Sequence, residues 1–142
     1  MNKPKIIAVD FDGTLCENRF PEIGEPIQGT IAALKIEQAA GAKVILWTCR
    51  RDDDVRAAVE WCAQQGIHLD RVNENLPEMI EFFGGEDTRK VFANEYWDDR
   101  AVLMPPGEME ARAEEAERTV RRQGVVQEPE AEAALSKLES EE

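Results

Sequence analysis

The chain has 142 residues and a mass of 16.0 kDa, the length of one ordinary domain. Asp and Glu number 30 against 17 Lys and Arg, for a formal net charge of -13. That balance excludes attachment to nucleic acid or to anionic lipid by general electrostatics, because both need many cations set against phosphates. A small phosphate-bearing substrate remains compatible, provided a metal or a few basic groups reverse the field locally.

In chain order, Met1 to Lys5 leads into only four apolar residues before Asp10, too few for a secretory leader. No apolar run approaches the length of a membrane span. Cys16, Cys49 and Cys62 are odd in number and form no CxxC pair, so they read as reduced thiols rather than a disulfide framework or a zinc site. The expectation is a soluble cytoplasmic protein.

Ile6-Ile7-Ala8-Val9 is a β-rich run that stops at Asp10. A helix is expected over 30–40, burying Ile31 and Leu34, with Gly41 as its stop. Val44-Ile45-Leu46-Trp47 is a second continuous apolar strand, ending at Thr48. Asp52 or Asp53 can then cap a helix whose face carries Val55, Ala58, Val59 and Cys62, closed by Gly66. A brief strand follows from Leu69 to Val72, then a short helix from Pro77 to Phe83. Val91 to Trp97 is a further strand candidate ending at Asp98-Asp99, and Ala101 to Met104 a last short one.

Strands that are apolar throughout and separated by helices imply a parallel sheet covered on both faces. Right-handed crossovers place the C-terminal ends of such strands on one edge, where open α/β folds bind ligands. Asp10, Thr48 and the pair Asp98-Asp99 are thereby brought to one polar site.

All aromatic residues lie before residue 98, so the globular body is expected to end soon after Trp97. The boundary is placed at Pro105-Pro106, giving a body over 1–106 and an acidic tail over 107–142. Met109, Ala113, Ala116 and Val120 recur at helical spacing, with Glu108 and Glu110 at the start, Arg121-Arg122 in the last turn and Gly124 beyond. One tail helix is expected there. Residues 128–142 read as a second weak helix or as disorder. The tail is either a solvated appendage or an oligomerisation helix, and a homo-oligomer stays open.

The residues that carry chemistry begin at Asp10-Phe11-Asp12-Gly13-Thr14-Leu15, at the end of a buried strand. Carboxylates two apart in an extended segment point the same way, and Gly13 lets the backbone turn sharply after them. Backbone N–H groups in such a turn can cradle an anion. An EF-hand loop fails here, because Gly13 sits where another ligand belongs and no glutamate follows at the right spacing.

This segment resembles motif I, Asp-x-Asp-x-Thr, of the haloacid dehalogenase-like superfamily. The other motifs of that superfamily are matched in order. Val44-Ile45-Leu46-Trp47-Thr48 is similar to motif II, Lys90 to the motif III lysine, and Trp97-Asp98-Asp99 to the acidic pair of motif IV. The resemblance spans residues 5 to about 104. It implies a three-layer α/β/α Rossmann-like fold with a central parallel sheet.

The resemblance also implies roles. Asp10 would be the covalent nucleophile on phosphorus, as in aspartyl-phosphate enzymes. Asp12 would protonate the departing oxygen and later take a proton from water; the dehalogenase branch lacks this second aspartate, which points to phosphoryl chemistry. Asp10 and Asp98 would bind Mg²⁺ through side chains and Asp12 through its carbonyl, with Asp99 behind them. Lys90 would supply positive charge to the phosphoryl oxygens, and Thr48 a hydroxyl with the N–H of Cys49. Four carboxylates brought together are unfavourable without a cation, and a hard oxygen set suits Mg²⁺. Arg50 either grips a second anionic group of the substrate or pairs at the surface with Asp52 to Asp54. Asp52-Asp53-Asp54 is read as a helix-start cluster, and His68 is given no role.

Only 33 residues separate Thr14 from Thr48, and 41 separate Thr48 from Lys90. An inserted cap that folds alone needs about 50 more. The chain therefore looks like a small capless member, with at most a flap from Cys16 to Ile27, and its site is open to large phosphorylated substrates or is closed by a neighbouring subunit. The expected activity is a Mg²⁺-dependent phosphatase acting on phosphomonoesters. The enzymatic rivals are a nucleotidase or polynucleotide phosphatase and a phosphotransferase; a phosphomutase must exclude water, which an open site does poorly. The non-enzymatic rival is a binding or scaffold protein, against which the intact Asp12 argues.

Overall fold

The structure, a computed structural model, describes residues 3–124. The expected second helix over 128–142 lies outside them. The chain forms two compact units that part between Ala101 and Val102, a few residues before Pro105-Pro106.

The first unit begins with strand β1 (Ile6–Val9), which is buried along its whole length. A hairpin follows, β2 (Cys16–Arg19) and β3 (Glu22–Pro26), paired antiparallel where only a flap was expected. Its strands come close at Gly24. A Cβ there would lie 2.8 Å from the Glu17 carbonyl carbon, so only glycine lets the two backbones meet. Helix α1 (Gln28–Ala39), strand β4 (Lys43–Leu46) and helix α2 (Asp52–Gln64) come next. Then follow β5 (Arg71–Val72), the short helix α3 (Pro77–Phe82) and β6 (Glu95–Trp97).

Four strands make one parallel sheet in the order β5-β4-β1-β6. The alternation of side chains along β1 and β4 divides the core in two. Ile7, Val9, Val44 and Leu46 pack with Ile31 and Leu34 of α1 and Ala58 and Cys62 of α2. Ile6, Ala8 and Ile45 pack in the other cluster with Leu76, Val91 and Ala93. Strands buried on both sides need apolar residues at every position, which is why β1 and β4 read as unbroken hydrophobic runs. The three cysteines are free thiols; burial pushes that of Cys62 up to about 12. No helix of the described residues is long and apolar enough to cross a membrane.

Three expected strands are shortened or missing, the one over Leu69 to Val72 being reduced to Arg71–Val72. Of residues 91–97, only Glu95–Trp97 joins the sheet. Before it, side chains capture the backbone donors that a ladder would use: Phe92 N donates to Asn75 Oδ1 at 2.7 Å, and Ala93 N to the Tyr96 hydroxyl at 3.2 Å. Ala101 to Met104 forms no strand, and Val102, Leu103 and Met104 are exposed. In the second unit, α4 (Glu108–Gln123) starts with Glu108 and Glu110, ends with Arg121 and Arg122, and stops at Gly124 in the left-handed conformation.

Asn75 is the polar pin of the first unit. It is fully buried, its Nδ2 donates to Asp87 Oδ1 at 2.8 Å and to Thr88, and its Oδ1 receives Phe92 N. Removing this side chain deletes its hydrogen bonds to Asp87, Thr88 and Phe92 and leaves a void where a fully buried side chain stood. Asn75→Ala is expected to lower stability by about 3 kcal/mol, read from urea unfolding.

Candidate functional site

The sheet order places the site. From β1 the chain winds outward through β4 to β5, then returns to the opposite side of β1 as β6. The seam between β1 and β6 is therefore where the winding reverses, and open α/β sheets bind ligands outside the strand ends at such a point. Asp10 follows β1 and Asp98 follows β6 at that seam. The two strand ends are joined directly, since Asp10 N donates to the Trp97 carbonyl at 2.8 Å.

One carboxylate oxygen from each of Asp10, Asp98 and Asp99 lies within 4.8 Å of the others. Asp10 is half-buried, and the other two are exposed. Burial, together with the neighbouring charges of Asp98 and Asp99, pushes the Asp10 carboxyl up to about 6. Gly13 permits the close approach: its φ is +93°, and a Cβ there would stand 2.7 Å from Asp99 Cγ. Thr14 completes the link. Its hydroxyl receives Asp99 N at 3.0 Å and lies 3.4 Å from oxygens of both Asp10 and Asp99. Asp10 and the Asp98-Asp99 pair thus come together as the strand topology implies, with Thr14 between them. A shallow depression of about 300 Å³ borders them, lined by Gly13, Thr14, Ile27, Thr30 and Trp97 beside Asp98 and Asp99. A larger cavity of about 930 Å³ lies elsewhere, between Lys5, Met79, Phe82 and Phe92, and holds none of these acids.

Asp12 stands apart from this trio and faces Arg50. Arg50 Nε and Nη2 each donate to one Asp12 oxygen at 2.8 Å, a two-pronged ion pair in which the arginine side chain is only 1% exposed. Both expectations for Arg50 are corrected here. A guanidinium has five N–H donors, and all have acceptors: two on Asp12, then the carbonyls of Pro21, Glu22 and Asp54. None is left for an anion of the substrate, and no acidic side chain of Asp52 to Asp54 holds it at the surface. Those three acids instead occupy the first turn of α2.

Thr48 ends the β4 segment at the same edge. Its hydroxyl receives Arg50 N at 3.1 Å, and its own N–H donates to Asn73 Oδ1 at 2.8 Å. Asn73 was missed in the sequence. It follows β5 with φ +54°, a left-handed position that asparagine tolerates, so strand end plus asparagine was the available signal. Cys49 is exposed between Thr48 and Arg50. Lys90 is exposed, with its Nζ 5.2 Å from the Tyr96 ring centroid. It forms no ion pair among the described residues, so it is not gathered into the carboxylate cluster.

Comparison with solved structures finds a conserved protein coded by a locus from Bacteroides thetaiotaomicron. It is 34% identical, with a TM-score of 0.62 over 80% of this chain and 93% of that one. The chain belongs to that protein's family. The match takes in nearly the whole Bacteroides chain, and the chemistry is read from the site itself. Family models and curated proteins give no match.

The two aspartates of the first motif have opposite effects on stability. Asp10 is ionised at a cost: its carboxyl moves from 3.8 in the unfolded chain to about 6 in the folded one. The folded protein therefore binds the proton more tightly, and stability from this group is full below about 3.8 and lost as pH rises through 6. In EDTA at pH 7.5, Asp10→Asn is expected to stabilise by on the order of 1 kcal/mol, after discounting for solvent screening. That gain should shrink as pH falls below 6 and be nearly gone only below about pH 3.8, followed by thermal melting. Asp12→Asn leaves a buried guanidinium without its counter-charge and is expected to destabilise by about 3 kcal/mol.

Proposed function

We propose that the protein is a Mg²⁺-dependent phosphatase that hydrolyses phosphomonoesters through an aspartyl-phosphate on Asp10, as a capless member of the haloacid dehalogenase-like superfamily with that superfamily's three-layer fold. The observation that carries this reading is the convergence of Asp10, Asp98 and Asp99 within 4.8 Å at the β1/β6 seam. Three hard oxygen donors at an edge with no cationic side chain among them match a divalent ion of the Mg²⁺ class. Asp10 and Asp98, with Asp99 and the Asp12 carbonyl, would hold it. When bound, Mg²⁺ supplies the positive charge that lets an anionic phosphate approach an anionic nucleophile.

The chain's own groups do the rest. An Asp10 oxygen attacks phosphorus, and the ester oxygen leaves with a proton that Asp12 has first taken up on a lone pair not used by the Arg50 fork. Water then attacks the aspartyl-phosphate while Asp12 takes its proton, releasing inorganic phosphate and restoring Asp10. Thr48 and the Cys49 N–H stand at the edge where phosphoryl oxygens would lie. Lys90 would have to leave the Tyr96 ring to lend its charge to those oxygens. Arg50 adds a fixed positive charge beside Asp12. Three free thiols fit a reducing cytoplasmic setting. The substrate is a phosphorylated molecule, small or large, since the depression at the acids is shallow.

Two measurements test this. Mg²⁺ is expected to support turnover of p-nitrophenyl phosphate, and Asp10→Asn to reduce it by at least about 10³-fold; equal turnover in both proteins would exclude the covalent route. Saturating Mg²⁺ is also expected to raise the melting temperature by relieving carboxylate repulsion. An unchanged curve would exclude the cation site.

A further inference from the structure

Arg50 is placed like a part of the acid–base machinery although it touches neither the carboxylate trio nor open solvent. The guanidinium lies between two aromatic rings, 5.0 Å from the Phe11 centroid and 5.1 Å from that of Phe20. Phe11 stands between the two motif aspartates in sequence. Phe20, Pro21 and Glu22 form the tip of the β2–β3 hairpin, and the last two accept from Arg50 at 3.0 and 2.9 Å. The hairpin tip therefore grips one side of the guanidinium, and Asp12 takes the other.

The form of the Asp12 contact matters. An ionised carboxylate offers about four lone-pair sites. The fork uses one on each oxygen, at 2.8 Å in both cases, and leaves one on each free. Two parallel bonds also set the plane of the carboxyl group, which a single bond would leave free to turn. A group that must give a proton to one oxygen and later take one from another benefits from that restraint, because proton transfer needs the donor within hydrogen-bond reach of its target.

We infer that Arg50 is the positioning residue for Asp12, and that the hairpin tip acts on the chemistry through Arg50 by holding the guanidinium in place. This deepens the phosphatase reading and rests on it. A role limited to gluing the hairpin to the sheet would also explain the burial of Arg50, so the test must separate the two.

The separating quantity is the ratio of kcat/KM for an alkyl phosphate to that for p-nitrophenyl phosphate. An alkoxide cannot leave without a proton, whereas p-nitrophenolate can, and kcat/KM reports the first chemical step. A ratio taken on one preparation is also independent of how much protein is correctly folded. Arg50→Gln is expected to lower this ratio by at least about tenfold, towards the floor set by Asp12→Asn, with Arg50→Lys in between. Phe20→Ala, at an exposed position on the hairpin tip, should move it the same way by a smaller factor. In the Asp12→Asn background, Arg50→Gln should change the ratio no further, as expected of a residue that acts through Asp12. An unchanged ratio in Arg50→Gln, or an equal added fall in the Asp12→Asn background, would overturn the positioning role while leaving the phosphatase reading intact. A wild-type protein without Asp10-dependent turnover would instead remove that reading, and this inference with it.

Discussion

Like charges held within 4.8 Å of one another oppose folding, and the first unit holds Asp10, Asp98 and Asp99 in that relation by backbone geometry. The bond from Asp10 N to the Trp97 carbonyl joins the two strand ends, and the Thr14 hydroxyl ties the Asp99 backbone to the first motif. Gly13 leaves the space the Asp99 carboxylate fills. The core supplies the energy that keeps this arrangement together: Ile7, Val9 and Val44 are fully buried just behind the acids. Burial first, and the charges of Asp98 and Asp99 after it, push the Asp10 carboxyl up to about 6. Strain of this kind is what a bound cation would relieve.

Much of the placement was readable because parallel α/β topology is restrictive. Once Ile6–Val9 and Val44–Leu46 are read as strands buried on both sides, their C-terminal ends must share an edge, and Asp10 and Thr48 come with them. Asp98-Asp99 joins that edge for the same reason. The helices over residues 28–39 and 52–64 were readable from spacing and from their stops at Gly41 and Gly66. What was not readable depended on pairwise partners. Asn75 looks like any loop asparagine until Asp87, Thr88 and Phe92 are seen around it. Its capture of Phe92 N, with that of Ala93 N by Tyr96, is what stops β6 from beginning at Val91, and no local propensity announces that.

Arg50 and Lys90 show the same limit from opposite sides. An arginine two residues after a strand end, followed by three aspartates, reads as a surface cation. The fold buries it, and its partner Asp12 is 38 positions away. Lys90 was singled out by its position ahead of the acidic pair, yet its side chain rests over Tyr96 and not among the acids. Charge on a guanidinium can be fixed by a fork of hydrogen bonds, whereas an exposed ammonium on four methylenes keeps its freedom. Arg50 is thus fixed against Asp12, whereas Lys90 is held by no such fork among the described residues.

The placement of β6 bears on how durable the site is. β1 is an interior strand with neighbours on both sides, whereas β6 is a three-residue strand at the sheet margin. Two of the three acids therefore hang on a three-residue edge strand that is paired on one side only. Edge segments fray at a fraction of the free energy needed to open a whole domain. The assembled acid cluster is consequently a shorter-lived entity than the hydrophobic body beneath it, and it can come apart and re-form many times within the lifetime of a single folded molecule.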